Sequence, residues 1–308
     1  MISKVWTVMK NTANEFVNDD CTTMAAALSY YTVFSLPPLL YLVLTVTGLF
    51  LDPSDVQGEV EKQISNLIGA RGTEAVRSML EHVNSSPGRG LAGTLLGLAA
   101  ILLGATGAFI QLQSALNRAW GVEPDPQQGG VKNFLSKRIL GLGLILVVAF
   151  LLLVSLVVSA AVSAFGDYVA SFFPNAISSA FLQALNFGVS LVVIGLLFAG
   201  IFKFLPDAIL EWRDVAVGAL FTAVLFVAGK TLIGLYLGNS DPVSAYGAAA
   251  SLAIVFVWIY YSSMIILIGA EFTQVWASNF GTEIRPEANA VRVVREYRHE
   301  RPEPHARG

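Results

Sequence analysis

Two ionisable side chains stand inside long apolar runs of this 308-residue chain. Lys230 interrupts the run Val215–Leu237, and Glu271 interrupts the run Ala245–Trp276. A charge so placed costs a few kcal/mol in hydrocarbon, so it is paired, faces water or serves a function. Lys230 stands about fifteen residues into its run, ~22 Å along a helix. It is suited either to bind an anionic headgroup or carboxylate, or to snorkel toward the nearer headgroups. Glu271 lies toward the opposite end of its own run, where it would exchange a proton with the adjoining solution or lock helices through an ion pair. On antiparallel helices the two would lie roughly ten residues, ~15 Å, apart in depth. Arg213, Lys203 and Arg118 are therefore the expected partners of Glu271.

Other polar features collect near the ends of the apolar runs. Pro37 and Pro38 lie within the first, Met24–Leu51, where they remove two donors and crowd the preceding turn. The carbonyls freed near Val33 and Phe34 need partners within the protein, so a kink or break is expected near Ser35, with a half-helix restarting at Pro37 or Pro38. Its positive end would form an anion or substrate site, or the kink would only shape packing. Tyr30, with Ser29 and Tyr31, begins this run, and Gln111, Gln113 and Asn117 close the second. Such groups bond across helix pairs or line a polar cavity. Asp207, Glu211, Arg213 and Asp214 lie between the fourth and fifth runs, as a gate or as a solvated turn with a local ion pair. Cys21, the sole cysteine, excludes an intrachain disulfide and reads as a buried or interfacial thiol. Trp258, Tyr260 and Tyr261 sit in mid-run, facing protein or a cavity rather than lipid.

The sequence offers no catalytic constellation. The histidines are His82, His299 and His305, in loop and tail, and no paired-His motif, phosphate loop or nucleophile triad is readable. No catalytic residue, metal or cofactor is expected. A net charge of −3 gives no field for nucleic acid.

These residues need helices to place them, and composition supplies the setting. Hydrophobic residues make up 55% of the chain and charged residues 13%, against roughly 25% charge in a soluble domain. Lipid must clothe much of the exterior. Spans are expected at about Met24–Leu51, Leu91–Asn117, Ile139–Gly166, Ala180–Phe202, Val215–Leu237 and Ala245–Trp276. The fold class is thus all-α, a polytopic membrane helical bundle of about six transmembrane helices, the first one Pro-broken. Residues 1–23 read as an amphipathic interfacial helix, 24–280 as the transmembrane domain, and 281–308 as a polar tail that begins with a short helix and ends disordered. Within the domain, residues 52–90 form an external loop with two amphipathic helices. Lys4, Lys10, Arg118, Lys132, Lys137, Arg138, Lys203, Arg213 and the six tail arginines share one side, fourteen positive charges against Lys62, Arg71, Arg77 and Arg89 opposite. This places both termini in the cytoplasm.

Several of these segments carry a family resemblance: MAAALSYYTVFSLPPLL (Met24–Leu40), LNRAW (Leu116–Trp120), FLPDAILEWRDVAVGALFTAVLF (Phe204–Phe226) with Lys230, and YGAAASLAIVFVWIYYSSMIILIGAEFT (Tyr246–Thr273). In order and spacing they resemble the YihY/BrkB family of bacterial membrane proteins. The resemblance implies a multi-pass protein of the bacterial inner (cytoplasmic) membrane. It does not imply a settled activity. The family has carried the label "ribonuclease BN", which the missing metal ligands and basic surface argue against, and "virulence factor", which names a phenotype. The reading that follows is a transporter or flippase-like protein for an anionic or lipidic substrate, using Lys230, Glu271, Arg213, Asp214 and the Pro37-Pro38 break. A non-transporting scaffold that organises the envelope is the alternative, and an enzyme stands last. Membrane lipids are the expected partners, and the sequence leaves homo-oligomer formation and the substrate open.

Overall fold

The structure is a computed structural model that describes residues 2–47, 91–128, 175–239 and 250–293, with Gly58, Glu61, Ser65, Thr73, Glu74, Val76, Arg77, Ser78, Ile139 and Gly143. The described residues include the α-helices α1 (Ile2–Asn18), α2 (Cys21–Thr47), α3 (Leu91–Ala119), α4 (Asn175–Phe204), α5 (Trp212–Asn239) and α6 (Ala250–Phe280). At 1.5 Å per residue α2 to α6 are each ~40 Å or longer, more than the ~30 Å hydrocarbon core. Among the described residues two stretches are long and apolar enough to cross a membrane: Trp212–Lys230, of mean hydropathy 1.5, and Leu252–Phe280, of mean hydropathy 2.2. The expected third span, Ile139–Gly166, lies outside the described residues except for Ile139 and Gly143.

Asp20, at φ +55°, turns the chain between α1 and α2, a conformation that a short polar side chain tolerates. Its carbonyl accepts the Met24 N–H and its carboxylate the Thr23 hydroxyl. α2 then runs without interruption through Pro37 and Pro38, and the expected break near Ser35 does not divide it. Close packing on α3 accompanies this continuity. The Ser35 hydroxyl oxygen accepts the Ala108 N–H at 3.1 Å, and the Pro38 ring lies where a Cβ on Gly104 would meet it at 2.9 Å. α2 packs against α3 and α6, α4 against α5, α5 against α6, and α1 against α6.

The α5–α6 crossing is built from one pentapeptide used twice. Gly218-Ala219-Leu220-Phe221-Thr222 on α5 meets Gly269-Ala270-Glu271-Phe272-Thr273 on α6. A Cβ on Gly218 would overlap the Thr273 side chain, and one on Gly269 would overlap Thr222. Each threonine hydroxyl donates to its own glycine's carbonyl at 2.7 Å, so neither polar group is left bare. Phe221 and Phe272 stack with centroids 3.9 Å apart. The pairing is reciprocal, as a local two-fold axis across antiparallel helices requires.

At one end the helices are laced together by extended chain. β1 (Val122–Pro124) pairs antiparallel with β4 (Ala290–Arg292), and β2 (Ala208–Ile209) with β3 (Arg285–Pro286). The fold is mostly helical, as its expected class requires, but one expectation is corrected: the tail beyond Phe280 begins with strands rather than a short helix. The reason is a supply of unpaired backbone in the α3 and α4–α5 connections. The Glu287 N–H donates to the Asp207 carbonyl (3.1 Å), Asp125 N–H to Asn289 (2.9 Å) and Val293 N–H to Gly121 (2.8 Å). The ends of α3, α4 and α6 and the start of α5 therefore share this ribbon end. In the 52–90 loop the described residues are helical, and Val76 is buried against Val33, Leu40 and Val255.

Candidate functional site

Glu271 is the middle residue of the α6 copy of the pentapeptide. Its α5 counterpart, Leu220, is exposed on the outside of the bundle, whereas Glu271 is 0% exposed. Packing accounts for the four shared residues of the two copies and does not call for a carboxyl at the fifth. The Cys21 thiol, on the first residue of α2, donates to Glu271 Oε1 at 3.3 Å. The other oxygen, Oε2, is buried and has no partner among the described residues. Met24, Ala25, Ala115 and Leu267 form the apolar cluster that encloses Cys21, with Phe16, Tyr260 and Met264 beside it. The side chains of Glu15 and Asp19 lie near enough for their charge to act on Glu271. Gln274, one turn along α6, also has a buried oxygen with no partner, as does Ser262 farther up the helix.

The expected ion pair at Glu271 is therefore corrected: none of Arg213, Lys203 or Arg118 bonds to it. Lys203 donates instead to the Leu210 carbonyl and lies 5.6 Å over the Trp212 ring. Arg213 and Arg118 are exposed. The partner that sequence reasoning set aside, Cys21, is the one the fold supplies.

Lys230 is half-buried on α5, and no hydrogen bond or ion pair joins it to another described residue. It follows Gly229, against which the Tyr261 hydroxyl rests. Because Thr222 faces Gly269, Lys230 is level with Tyr261, ten positions before Glu271 on α6 and ~15 Å away in depth. The two charges remain apart, as their spacing predicts.

A second polar cluster lies at the ribbon end. Asp207 accepts Gln113 Nε2 at 3.1 Å and Asn117 Nδ2 at 2.6 Å, while its own N–H donates to Asn117 Oδ1 at 2.8 Å. One amide thus grips both the carboxylate and the backbone of a turn. Glu287 lies above this knot. Partial burial, and then the negative charge of Asp207, raise its carboxyl above the ordinary range, and Lys203 opposes the shift. Asp214 is buried, accepts the Thr282 N–H at 3.1 Å and leaves no room for a side chain at Gly281. It fastens the end of α6 to the start of α5.

The remaining candidates disperse. Tyr30 is exposed and packs on Tyr31 and Phe34, on an outer face of α2. Gln111 is half-buried and does not join the Gln113–Asn117 group. Ser35, Pro37 and Pro38 belong to α2, where Ser35 and Pro38 meet α3. Trp258 is buried edge-on against Phe226 at 6.2 Å, facing protein as expected. Sequence reasoning missed the contact of Cys21 with Glu271 and the packing of Thr222 on Gly269 and Thr273 on Gly218. The recurrence of Gly-Ala-x-Phe-Thr was the signal for the second. Among the described residues no group of three or more His, Cys, Asp or Glu is arranged to hold a metal.

Comparison with known proteins agrees with a membrane setting. The family model described as "Virulence factor BrkB" matches residues 12–293. A UPF0761 membrane protein of Psychromonas ingrahamii is 30% identical over 83% of this chain and 82% of its own length. Another, from Alkalilimnicola ehrlichii, is 30% identical over 86% of this chain but 57% of its own length, so the chain spans little more than half of that relative. A Bacillus subtilis protein named "Putative ribonuclease-like protein YfkH" is 26% identical over 87% of this chain and 94% of its own. No solved structure matches. With the match running from α1 to the last described strand, and apolar helices throughout, the chain belongs to the BrkB family of membrane proteins.

Proposed function

We propose that the protein moves an anionic or lipidic substrate at the bacterial inner membrane, with the ribbon end and both termini in the cytoplasm. The observation that carries this reading is the Glu271 carboxyl, enclosed on a membrane-length helix with, among the described residues, a thiol on one oxygen and no partner on the other. A carboxyl kept only for packing would be replaced at little cost by an apolar residue, as Leu220 is at the matching position. In the proposed cycle Glu271 exchanges a proton with the cytoplasm, and Lys230, deeper and with no bond to another described residue, receives the anionic group. Asp214 and the Asp207 knot hold the inner mouth. The fourteen positive charges that the sequence reading assigns to the cytoplasmic side support the orientation.

The test is substitution in cells lacking the native gene. Glu271→Gln and Lys230→Gln should each abolish complementation of the deletion phenotype while membrane abundance stays normal. Loss of the protein itself would instead mark these residues as structural. A scaffold reading has one observation in its favour, the antiparallel pairing that laces the helix ends together. It predicts that both variants complement fully.

A further inference from the structure

α1 has three faces, and the fold accounts for two of them. At 100° per residue, Val8 and Thr12 fall on one face, both buried. Val8 packs against Phe272 and Val275, with Trp276 beside them. A second face is polar and exposed, with Lys4, Thr7, Lys10, Asn14 and Asn18. The third arc, about 120° wide, carries Val5, Trp6, Met9 and Val17, which are 57%, 72%, 40% and 74% exposed. We propose that this arc is embedded in phospholipid, at the boundary between headgroups and acyl chains, so that α1 lies in the membrane surface.

What covers the arc is argued from its neighbours. α1 is held against the last two turns of α6, a helix of membrane length that ends at Phe280. Aromatic rings crowd that level. Phe272, Trp276 and Phe280 form a ladder with centroids 6.0 and 4.8 Å apart, and Phe204 and Trp212 meet edge-on at 5.9 Å under Lys203. Such belts mark the membrane–water interface, where Trp and Tyr collect with lysines beside them. Trp6 continues the belt on α1. Lys10 borders the apolar arc, placed to reach headgroups while its stem lies along the apolar surface. A helix lying in water would not expose so broad an apolar arc, and an interfacial helix carries this division of faces. The proposal is independent of transport and holds equally for a scaffold.

The experiment uses the full chain in phospholipid nanodiscs. Cys21→Ser supplies the background, and Trp6→Cys, Met9→Cys and Asn14→Cys are spin-labelled one at a time. Power saturation is compared with oxygen, which partitions into lipid, and with a water-soluble nickel chelate. Labels at positions 6 and 9 should favour oxygen, and the label at 14 should favour nickel. A label at 6 that favours nickel places the arc in water, and one shielded from both reagents places it against a second copy; either overturns the proposal. Should Cys21→Ser fail to fold, the native chain and Trp6→Phe are compared for quenching by brominated lipid. The quenched fraction should fall when Trp6 is replaced, Trp212 and Trp276 supplying the remainder, and an unchanged amount of quenched emission contradicts the proposal.

Discussion

Asp207 and Glu271 are both carboxyls in the folded helix bundle, and the fold treats them in opposite ways. Asp207 is held by two amide side chains, gives its backbone N–H to one of them and takes the Glu287 N–H on its carbonyl. Glu271 has one weak donor and a bare oxygen. A satisfied buried network fixes a unique arrangement, whereas a half-satisfied one costs stability. The first pattern is that of a joint. The second is the pattern that the proposed proton exchange at Glu271 would use.

Removing the frame around Glu271 should have the largest effect. Gly269→Val sets a branched side chain into Thr222 across the α5–α6 crossing and should cost about 3 kcal/mol or more, seen as loss of folded protein in detergent. Thr222→Ala in the same chain should restore part of it. Asn117→Ala leaves the Asp207 carboxylate and N–H short of partners and should cost about 2–3 kcal/mol in thermal unfolding. Glu271→Gln keeps shape and should change stability by no more than about 1 kcal/mol. If Glu271→Gln were the more damaging of these last two, the contrast between the carboxyls would be reversed.

The ribbon gives a finer effect. Glu287 titrates above its ordinary range when the tail is docked and at its ordinary value when it is not. Docking is then strongest at low pH and weakens as pH rises through the interval between the two values. Protection from hydrogen exchange at the Glu287 and Val293 amides, taken relative to the intrinsic rate at each pH, should fall across that interval, and Glu287→Gln should remove that fall. Smallest is Arg292→Ala. The Arg292–Glu283 pair, 2.6 Å apart, is more than half exposed on both sides, and its loss should change stability by at most about 0.5 kcal/mol.

The membrane-length helices were legible in the sequence because hydrocarbon selects for long apolar runs, and α2, α3, α4, α5 and α6 begin and end within a few residues of the expected runs. The depth separation of Lys230 and Glu271 was legible for the same reason, since helix rise is fixed. The strands were not. They are two or three residues long, too short for periodicity, and exist because distant segments offer each other free backbone groups. Cys21 was unreadable as a partner because 250 positions separate it from Glu271. The continuity of α2 through Pro37 and Pro38 went against local chemistry, with Gly104 and Ala108 of another helix lying alongside. The α5–α6 seam was written openly, as a repeated pentapeptide, but repeats of five residues fall below the 20 to 50 that mark architectural repeats.

Cys21 is also the chain's native reporter for the central claim. It is fully buried against Glu271, and no other thiol exists to confuse the signal. In native membranes a small thiol reagent added from the cytoplasmic side should label Cys21 at a measurable rate well below the unfolding temperature, because a working carboxyl must open to water during its cycle. Labelling that begins only when the protein unfolds would contradict the account and leave Glu271 a sealed part of the core.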